Sequence, residues 1–383
     1  MVSTLESSIC LQFDRIDIGH APAHTLPKHN LSVLLERCIH QMQDTLLADL
    51  VAASTPLLTD LAQYYARKPS KYLRPRLIFL MALATNGLGE SCDMEGSMFS
   101  QSGILSDSAL GSILPQQVRL AEIIEMIHVA SLLHDDVMDE SQLRRGALSA
   151  PSAFDNKKTV LAGDFLLGRA MVLCAALGSS EVMALVAGII ATLVEGELRQ
   201  AQDAMLPLRV VHGVDEYWKS YLEKTYMKTA SMFSNALRAA VVLGGPSNSQ
   251  PWMSAAAAYG RELGMAFQIM DDVLDYQTAE DTGNSVGKPI GGADLRLGLM
   301  TAPLFFALDE NAELGSRIAQ FPLDDGNLDE IIHMVRSTRA LERSRALAAS
   351  YAEKARAALS SFPTSPAKSA LQGLTFSIVG QGP

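Results

Sequence analysis

The sequence predicts an all-α protein, a bundle of long helices around a central cavity, and three observations predict it. Apolar residues recur at helical spacing over long stretches, and strand-like alternation is nearly absent. The longest stretches are apolar around most of their circumference, so other helices must enclose them.

Taken in order, residues 1–30 read as an irregular N-terminal extension, and 31–383 as a single domain. In the extension Glu6, Asp14 and Asp17 offset Arg15 and Lys28, which fits neither a signal peptide nor a strong mitochondrial leader. Residues 86–115, rich in Gly and Ser, exceed an ordinary helix–helix connection and read as an insertion that covers the cavity or contacts a partner. Pro115 is a sensible helix start, and "QQVRLAEIIEMIHVASLLHDDVMDE" (116–140) follows with no Gly or Pro. "EVMALVAGIIATLVEGELRQAQDAM", "YLEKTYMKTASMFSNALRAAVVL" and "SAAAAYGRELGMAFQIMDDVLDY" read as further central helices. "LERSRALAASYAEKARAAL" is amphipathic and more polar, which predicts a peripheral helix.

Composition bounds the function. With 383 residues, 48% of them hydrophobic, the chain can bury a large core. A net charge of −11 with no block of Lys or Arg argues against a nucleic-acid partner. No apolar run reaches the roughly 18 residues expected of a membrane span. Cys10, Cys38, Cys92 and Cys174 form no CxxC pair, so neither a zinc site nor a disulfide framework is indicated, and a reducing compartment is the default.

The chemistry is concentrated in "SLLHDDVMDESQLRRG" (131–146), where an apolar helix ends in Asp135, Asp136 and Asp139 and two arginines follow. The same D-D-x-x-D spacing returns in "FQIMDDVLDY", as Asp271, Asp272 and Asp275. Positions i and i+4 share a helix face, so Asp135 and Asp139 point together with Asp136 alongside. Like charges so placed repel, more strongly in a partly buried cavity, and call for positive compensation. Mg²⁺ is the natural candidate, because it prefers carboxylate oxygens, keeps several waters and is usually completed by substrate phosphates. One DDxxD is most often a solvated helix end; two copies, each ending an apolar helix, favour two clusters gripping a diphosphate through bridging metals.

These residues resemble the trans-type polyprenyl diphosphate synthases, over roughly residues 35–375. "LLHDDVMDE" and "FQIMDDVLDY" are similar to the family's two aspartate-rich motifs. "KYLRP" (71–75), "RRG" (144–146), "LAGDFLL" (161–167), "KTA" (228–230) and "GKPIGGADLRLGLMTAP" (287–303) also fit, in the family's order. "GDFLLGRA", "EGELRQ" and "ADLRLGLMTAP" look closest to the long-chain branch that makes the ubiquinone side chain, as in fungal-type hexaprenyl, solanesyl and decaprenyl synthases. The resemblance implies the isoprenoid synthase helical bundle and the Mg²⁺-dependent condensation of isopentenyl diphosphate with an allylic diphosphate.

It also implies roles. Asp135, Asp136, Asp139, Asp271, Asp272 and Asp275 would carry more than one Mg²⁺ and, with Lys228, make up the catalytic set. Arg144, Lys228 and Lys288 would contact the allylic diphosphate, with Thr229 and Gln268 lining the same site. Lys71, Arg74, His128 and Arg145 would hold isopentenyl diphosphate. The residue types agree: arginine suits bidentate phosphate contacts, and His128 lies two turns before Asp135 on one face. Ionisation would leave an allylic cation, the double bond of isopentenyl diphosphate would attack it, and the released diphosphate is a plausible base, so no nucleophilic triad is needed.

Ala130 and Ser131, five and four positions before Asp135, are small where short-chain members usually carry an aromatic ring, and Ile127 and Ile124 follow below. A tunnel along this face, unblocked, predicts a product of six or more isoprene units. Two departures stand out: Pro69 and Ser70 replace the usual Gly before Lys71, and "FSIVGQGP" lacks the basic tail of many members. The alternatives are a class I terpene cyclase, disfavoured by the second DDxxD and by Lys71, Arg74 and Arg145, and a non-catalytic subunit of a heteromeric synthase, disfavoured by two intact clusters. The family favours a homodimer, with a heteromer and peripheral membrane contact for product release left open. Its branch points to mitochondria, the N-terminal pattern to the cytoplasm.

Overall fold

The computed structural model describes residues 29–51, 56–68, 70–86, 113–144, 147–203, 214–245, 250–277, 291–318 and 325–380. The N-terminal extension up to residue 28, the insertion over 87–112, Cys10, Cys92, Pro69, Arg145 and Lys288 lie outside them.

The chain forms α1 (His29–Val51), α2 (Pro56–Ala66), α3 (Leu73–Thr85) and α4 (Pro115–Met138), then a hairpin of β1 (Leu143–Arg144) and β2 (Ala147–Leu148). Next come α5 (Ala150–Phe154), α6 (Asn156–Ala176), α7 (Ser180–Asp203) and α8 (Val214–Thr225). A π turn (Tyr226–Ala230) joins α8 to α9 (Ser231–Leu243), and α10 (Gln250–Leu274) follows. The remainder is α11 (Ala293–Arg296), α12 (Ala302–Glu310), α13 (Ala312–Ile318), α14 (Asp325–Ser337), α15 (Ala340–Ala358) and α16 (Pro366–Ile378). The all-helical reading is correct apart from the hairpin, which pairs Leu143 with Leu148 and Arg144 with Ala147.

Local chemistry sets the ends of the functional helices. Pro115 opens α4, and Gln117 reaches back to accept the Leu114 N–H at 3.0 Å. The other end of the Gln117 amide donates to the Ala240 carbonyl at 2.8 Å, which ties α4 to α9. Asp155 caps α6 by accepting from the Lys158 N–H at 2.9 Å. Every residue of α3 is buried, including Arg74, which lines the cavity described below, and Arg76, which pairs with Glu36 of α1.

α10 lies between α9 and α15, and α6 packs along α4. Small residues permit these approaches. A Cβ on Gly260 would come 2.5 Å from the Phe233 carbonyl oxygen, and one on Gly264 would come 2.5 Å from Cα of Ala230. α15 buries Ala340, Ser344, Ala348, Ala352 and Ala355 and carries its polar residues on the rest of its surface. The predicted helix across the KTA segment is real but broken by the π turn, a local unwinding found mostly at functional sites.

Two apolar clusters result. The large one joins α1–α10, one side of α12 through Ala302 and Phe305, α15 and α16; the smaller one, around Tyr276, Leu295, Leu304, Leu328, Ile331 and Val335, sits under α11–α14. α6 is long and apolar enough to cross a membrane by length and composition, which the sequence reading missed. Here it packs on α4 and leaves Leu161 and Val172 more than half exposed. Cys38 and Cys174 are buried, and burial pushes the Cys38 thiol up to about 11, so it stays protonated.

One buried charge makes stability depend on pH. On α4, Arg119 Nη1 binds Glu122 Oε2 at 2.7 Å and also binds Asp49. Burial, then the neighbouring Asp49 carboxylate, pushes Glu122 up to about 8 against the pull of Arg119. The folded state thus holds a proton that the unfolded state releases near its ordinary value of 4.5, so stability falls as pH rises from there through 8. Glu122→Gln should flatten that slope and leave the protein more stable than wild type at pH 8–9, as read from melting temperatures across pH. A steeper slope in the variant would refute the assignment.

Candidate active site

A cavity of about 690 Å³ opens between α4, α6, α7, α8, the π turn, α10 and α11. The ends of the two aspartate helices both contribute to it. Asp135 and Asp139 from α4, Asp271 and Asp272 from α10, and Asp294 from α11 all line it. Among the predicted binding residues Arg74, His128, Arg144, Lys228, Thr229 and Gln268 line it too, as do Ile127 and Ser131 of the predicted chain-length set. Apolar lining comes from Leu167 of α6, Ile190 and Leu193 of α7, and Met232 of α9.

Four predicted residues lie elsewhere. Asp136 is 0% exposed, does not line the cavity, and binds Tyr65 and Arg144. Successive helical residues are about 100° apart around the axis, so Asp136 cannot share the face of Asp135. Asp275 lies just past the end of α10 and accepts from the N–H groups of Ala293 and Asp294 at 3.1 and 3.0 Å, so it anchors α11. The six aspartates are therefore not one inward-facing set. Lys71 is half-buried but not on the lining, and Ala130, 0% exposed, packs in the core behind it. Along α4 the lining stops at Ile127, Ile124 is fully buried beyond it, and the apolar lining is supplied by α6 and α7.

Hydrogen bonds fix the second cluster. Thr229 Oγ1 donates to Gln268 Oε1 at 2.7 Å, Gln268 Nε2 donates to Asp272 Oδ1 at 3.0 Å, and the Tyr221 phenol donates to Asp272 Oδ2 at 2.6 Å. Lys228, aimed inward by the π turn, binds Glu197 Oε1 at 2.8 Å and Gln200 Oε1 at 2.9 Å. Glu197, Gln200, Tyr221 and Asp294 are site residues that sequence reasoning did not single out. Glu197 and Gln200 lie within "EGELRQ" and Asp294 within "ADLRLGLMTAP", so the signal was present as motif and lacked an assigned role.

The electrostatics are those of crowded carboxylates. Asp135 stays partly accessible through the cavity surface yet sits deep in the protein; burial, then Glu197, pushes it up to about 7. Burial pushes Asp272 up to about 6 despite the Tyr221 and Gln268 donors. Burial, then Asp275 and Asp272, holds Asp294 well above the usual carboxylate range. Burial works to lower Lys228, but Glu197 and Asp135 outweigh it and keep the ammonium charged.

This donor set fits a divalent cation of the Mg²⁺ type: hard carboxylate oxygens, held back from ionising until positive charge arrives. Among the described residues no three His, Cys, Asp or Glu side chains are grouped tightly enough to enclose an ion alone. Water and diphosphate oxygens would have to complete the shell, which is how Mg²⁺ is usually held.

A helical bundle with carboxylates and cations at one end of a cavity and an apolar wall at the other is the site of an enzyme acting on prenyl diphosphates. The polyprenyl synthetase family model matches residues 55–335, and the chain belongs to that family. It is 43% identical over 344 residues to a probable mitochondrial hexaprenyl pyrophosphate synthase of Neurospora crassa, covering 84% of this chain and 75% of that protein. It is 38% identical over 355 residues to decaprenyl-diphosphate synthase subunit 1 of Schizosaccharomyces pombe, covering 91% of each. Among solved structures, the decaprenyl diphosphate synthase of Rhodobacter capsulatus matches with a TM-score of 0.76 at 28% identity, over 93% of this chain and 99% of that one. A Caulobacter crescentus polyprenyl synthase complexed with calcium and isoprenyl diphosphate matches with a TM-score of 0.75 at 29% identity, over 94% and 99%.

Proposed function

We propose that the protein is a Mg²⁺-dependent prenyltransferase that condenses isopentenyl diphosphate with an allylic prenyl diphosphate and makes a long all-trans polyprenyl diphosphate. The observation that carries this is one cavity with Asp135, Asp139, Asp271 and Asp272 at its polar end and Ile127, Leu167, Ile190 and Leu193 at its apolar end.

The aspartates just named, with Asp294 beside them, would hold the metal ions, whose chemistry is to neutralise charge developing on a departing diphosphate. Arg144 and Lys228 grip that diphosphate as donors that need no reorganisation. Arg74 and His128 hold isopentenyl diphosphate, and Arg145, Lys288 and Lys71 remain candidates for further phosphate contacts. Thr229 and Gln268 orient Asp272. The apolar wall excludes water from the allylic cation. Once the new carbon–carbon bond forms, the adjacent proton passes to the released diphosphate, because no uncommitted protein base is required.

The hexaprenyl and decaprenyl names of the relatives support a product of six or more units in the ubiquinone branch, and the Neurospora protein's name supports a mitochondrial location. The apolar residues that α6 leaves exposed away from the cavity, Leu161 and Val172, support a homodimer; the name of the Schizosaccharomyces protein as a subunit keeps a heteromer as the second arrangement. Met138 at the end of α4 and Leu143 and Leu148 of the hairpin are exposed apolar residues, the first two on the cavity lining, and would let product pass to a membrane surface. The domain is read as continuous over 31–383, with an extension before it and an insertion near 86–115. Incubation with Mg²⁺, isopentenyl diphosphate and farnesyl or geranylgeranyl diphosphate should give linear polyprenyl diphosphates. A cyclised hydrocarbon would overturn the proposal, and turnover only with an added partner would select the heteromer over the homodimer.

The cations should divide by substrate. Arg74→Ala is expected to raise KM for isopentenyl diphosphate by about 10- to 100-fold, the scale of a lost hydrogen bond to a charged group. Lys71→Ala should do less, since it stands off the lining. Arg144→Ala should instead lower kcat and weaken the allylic side, because it acts on the leaving group. Steady-state kinetics with each substrate varied checks this, and the reverse pattern would exchange the two assignments.

A further inference from the structure

Asp136 is fully buried behind the cavity wall, and three elements converge on it. From α2, Tyr65 donates its phenol O–H to Oδ2. From the hairpin, Arg144 donates Nε and Nη2 to Oδ1 at 2.8 and 2.6 Å, and the third element, α5, joins the group through Tyr65 and not through Asp136 itself. The N–H of Ala150, the first residue of α5, donates to the Tyr65 phenol oxygen at 2.8 Å. Tyr65 is 3% exposed and does not line the cavity, and nothing in the reaction described above uses it.

We infer that Tyr65 is a positioning residue for the allylic diphosphate: by fixing Asp136 it aims Arg144 into the cavity. This rests on the reading of Arg144 as a diphosphate contact. A carboxylate held through one oxygen can turn about its Cβ–Cγ bond and carry the arginine with it. Held through both, its plane is set. The guanidinium has five N–H groups and commits two of them to Asp136, which leaves the others on a side chain that lines the cavity. When Arg144 shares its charge with a diphosphate, Asp136 loses part of its compensation, and a buried carboxylate tolerates that poorly without a second donor. The phenol supplies that donor. Burial, then the bond to Asp136, raises Tyr65 far above the ordinary range of tyrosine, so it keeps its proton at any working pH.

The test compares Tyr65→Phe, Arg144→Ala and the double variant, with each substrate varied and inorganic pyrophosphate as inhibitor. Tyr65→Phe should lower kcat/KM for the allylic substrate about tenfold and weaken pyrophosphate inhibition to match, with KM for isopentenyl diphosphate within about twofold of wild type. In the Arg144→Ala background Tyr65→Phe should change nothing further. Equal losses towards both substrates, or an undiminished loss without Arg144, would reduce Tyr65 to a scaffold residue. If Arg144→Ala alone leaves allylic kinetics intact, the reading of Arg144 has failed and this inference falls with it. Should Tyr65→Phe not fold, Asp136→Asn, similar in size and uncharged, should give the same loss confined to the allylic substrate; a loss shared by both substrates overturns the inference.

Discussion

Asp135→Ala is expected to lower turnover by a factor of about 10³ or more, with Asp271→Ala close behind, while the fold survives. Losing one well-placed electrostatic partner of a transition state typically costs about 10²–10³ in kcat, and a carboxylate that holds metal removes more than one such contact. The stability side has a definite sign. Asp135 is raised to about 7 by burial and Glu197, so in the metal-free protein its ionised form destabilises the fold as pH rises through that value. Alanine at 135 should therefore melt no lower than wild type at pH 8 without metal. Activity and melting together separate a lost ligand from a damaged fold, and near-normal turnover of either variant at saturating Mg²⁺ would end the two-cluster reading. Asp136→Ala belongs to a different class, because Asp136 holds Arg144 and stands off the cavity.

The second large effect concerns product length. Ser131→Phe should shift the product from six or more isoprene units to three or four. Ser131 lines the cavity one turn before Asp135, about 6 Å along the helix at 1.5 Å per residue. A ring there would meet the growing chain just beyond the polar end, before it reaches Leu167, Ile190 and Leu193. The first condensation should continue, since no aspartate or cation is altered. Ala130, which the sequence places beside it, is the wrong position: phenylalanine there would overpack the core at a cost of about 1–3 kcal/mol and would not enter the lumen. Chromatography of the prenyl products decides the matter, and an unchanged length distribution for Ser131→Phe would move the tunnel away from α4.

How much of this was legible beforehand follows from what helical spacing can encode. The continuous apolar periodicity around 116–140 and through "FQIMDDVLDY" was enough for the long helices and for the pairing of Asp135 with Asp139. Spacing describes one helix at a time, however. Asp136 sits about a quarter-turn from Asp135, and its partner Tyr65 is 71 positions away in sequence, so its duty could not be read locally. Asp275 follows the last residue of α10, and only the return of the chain at Gly292 and Ala293 makes it an anchor. Ala130 and Ser131 are neighbours in sequence, and which of them meets the lumen depends on how α6 and α7 lean against α4. Asp294 and Glu197 stood inside recognised segments, but carboxylates outside a repeated spacing carried no mark of their own.

The two apolar cores also bear on how the molecule opens. Asp294 rides on the smaller one, whereas Asp135, Asp139, Asp271 and Asp272 extend from helices of the larger. Separate clusters of this kind behave as cooperative units with their own opening free energies, and the smaller is expected to open first here because fewer buried apolar side chains hold it. Metal and diphosphate binding carboxylates of both would stitch the units together across the cavity. Amide hydrogens of α14, whose buried apolar residues all belong to the smaller cluster, are thus expected to exchange faster than those of α9 in the ligand-free protein, and to slow most when Mg²⁺ and pyrophosphate are added. Loading the active site would then double as cross-bracing for the smaller cluster.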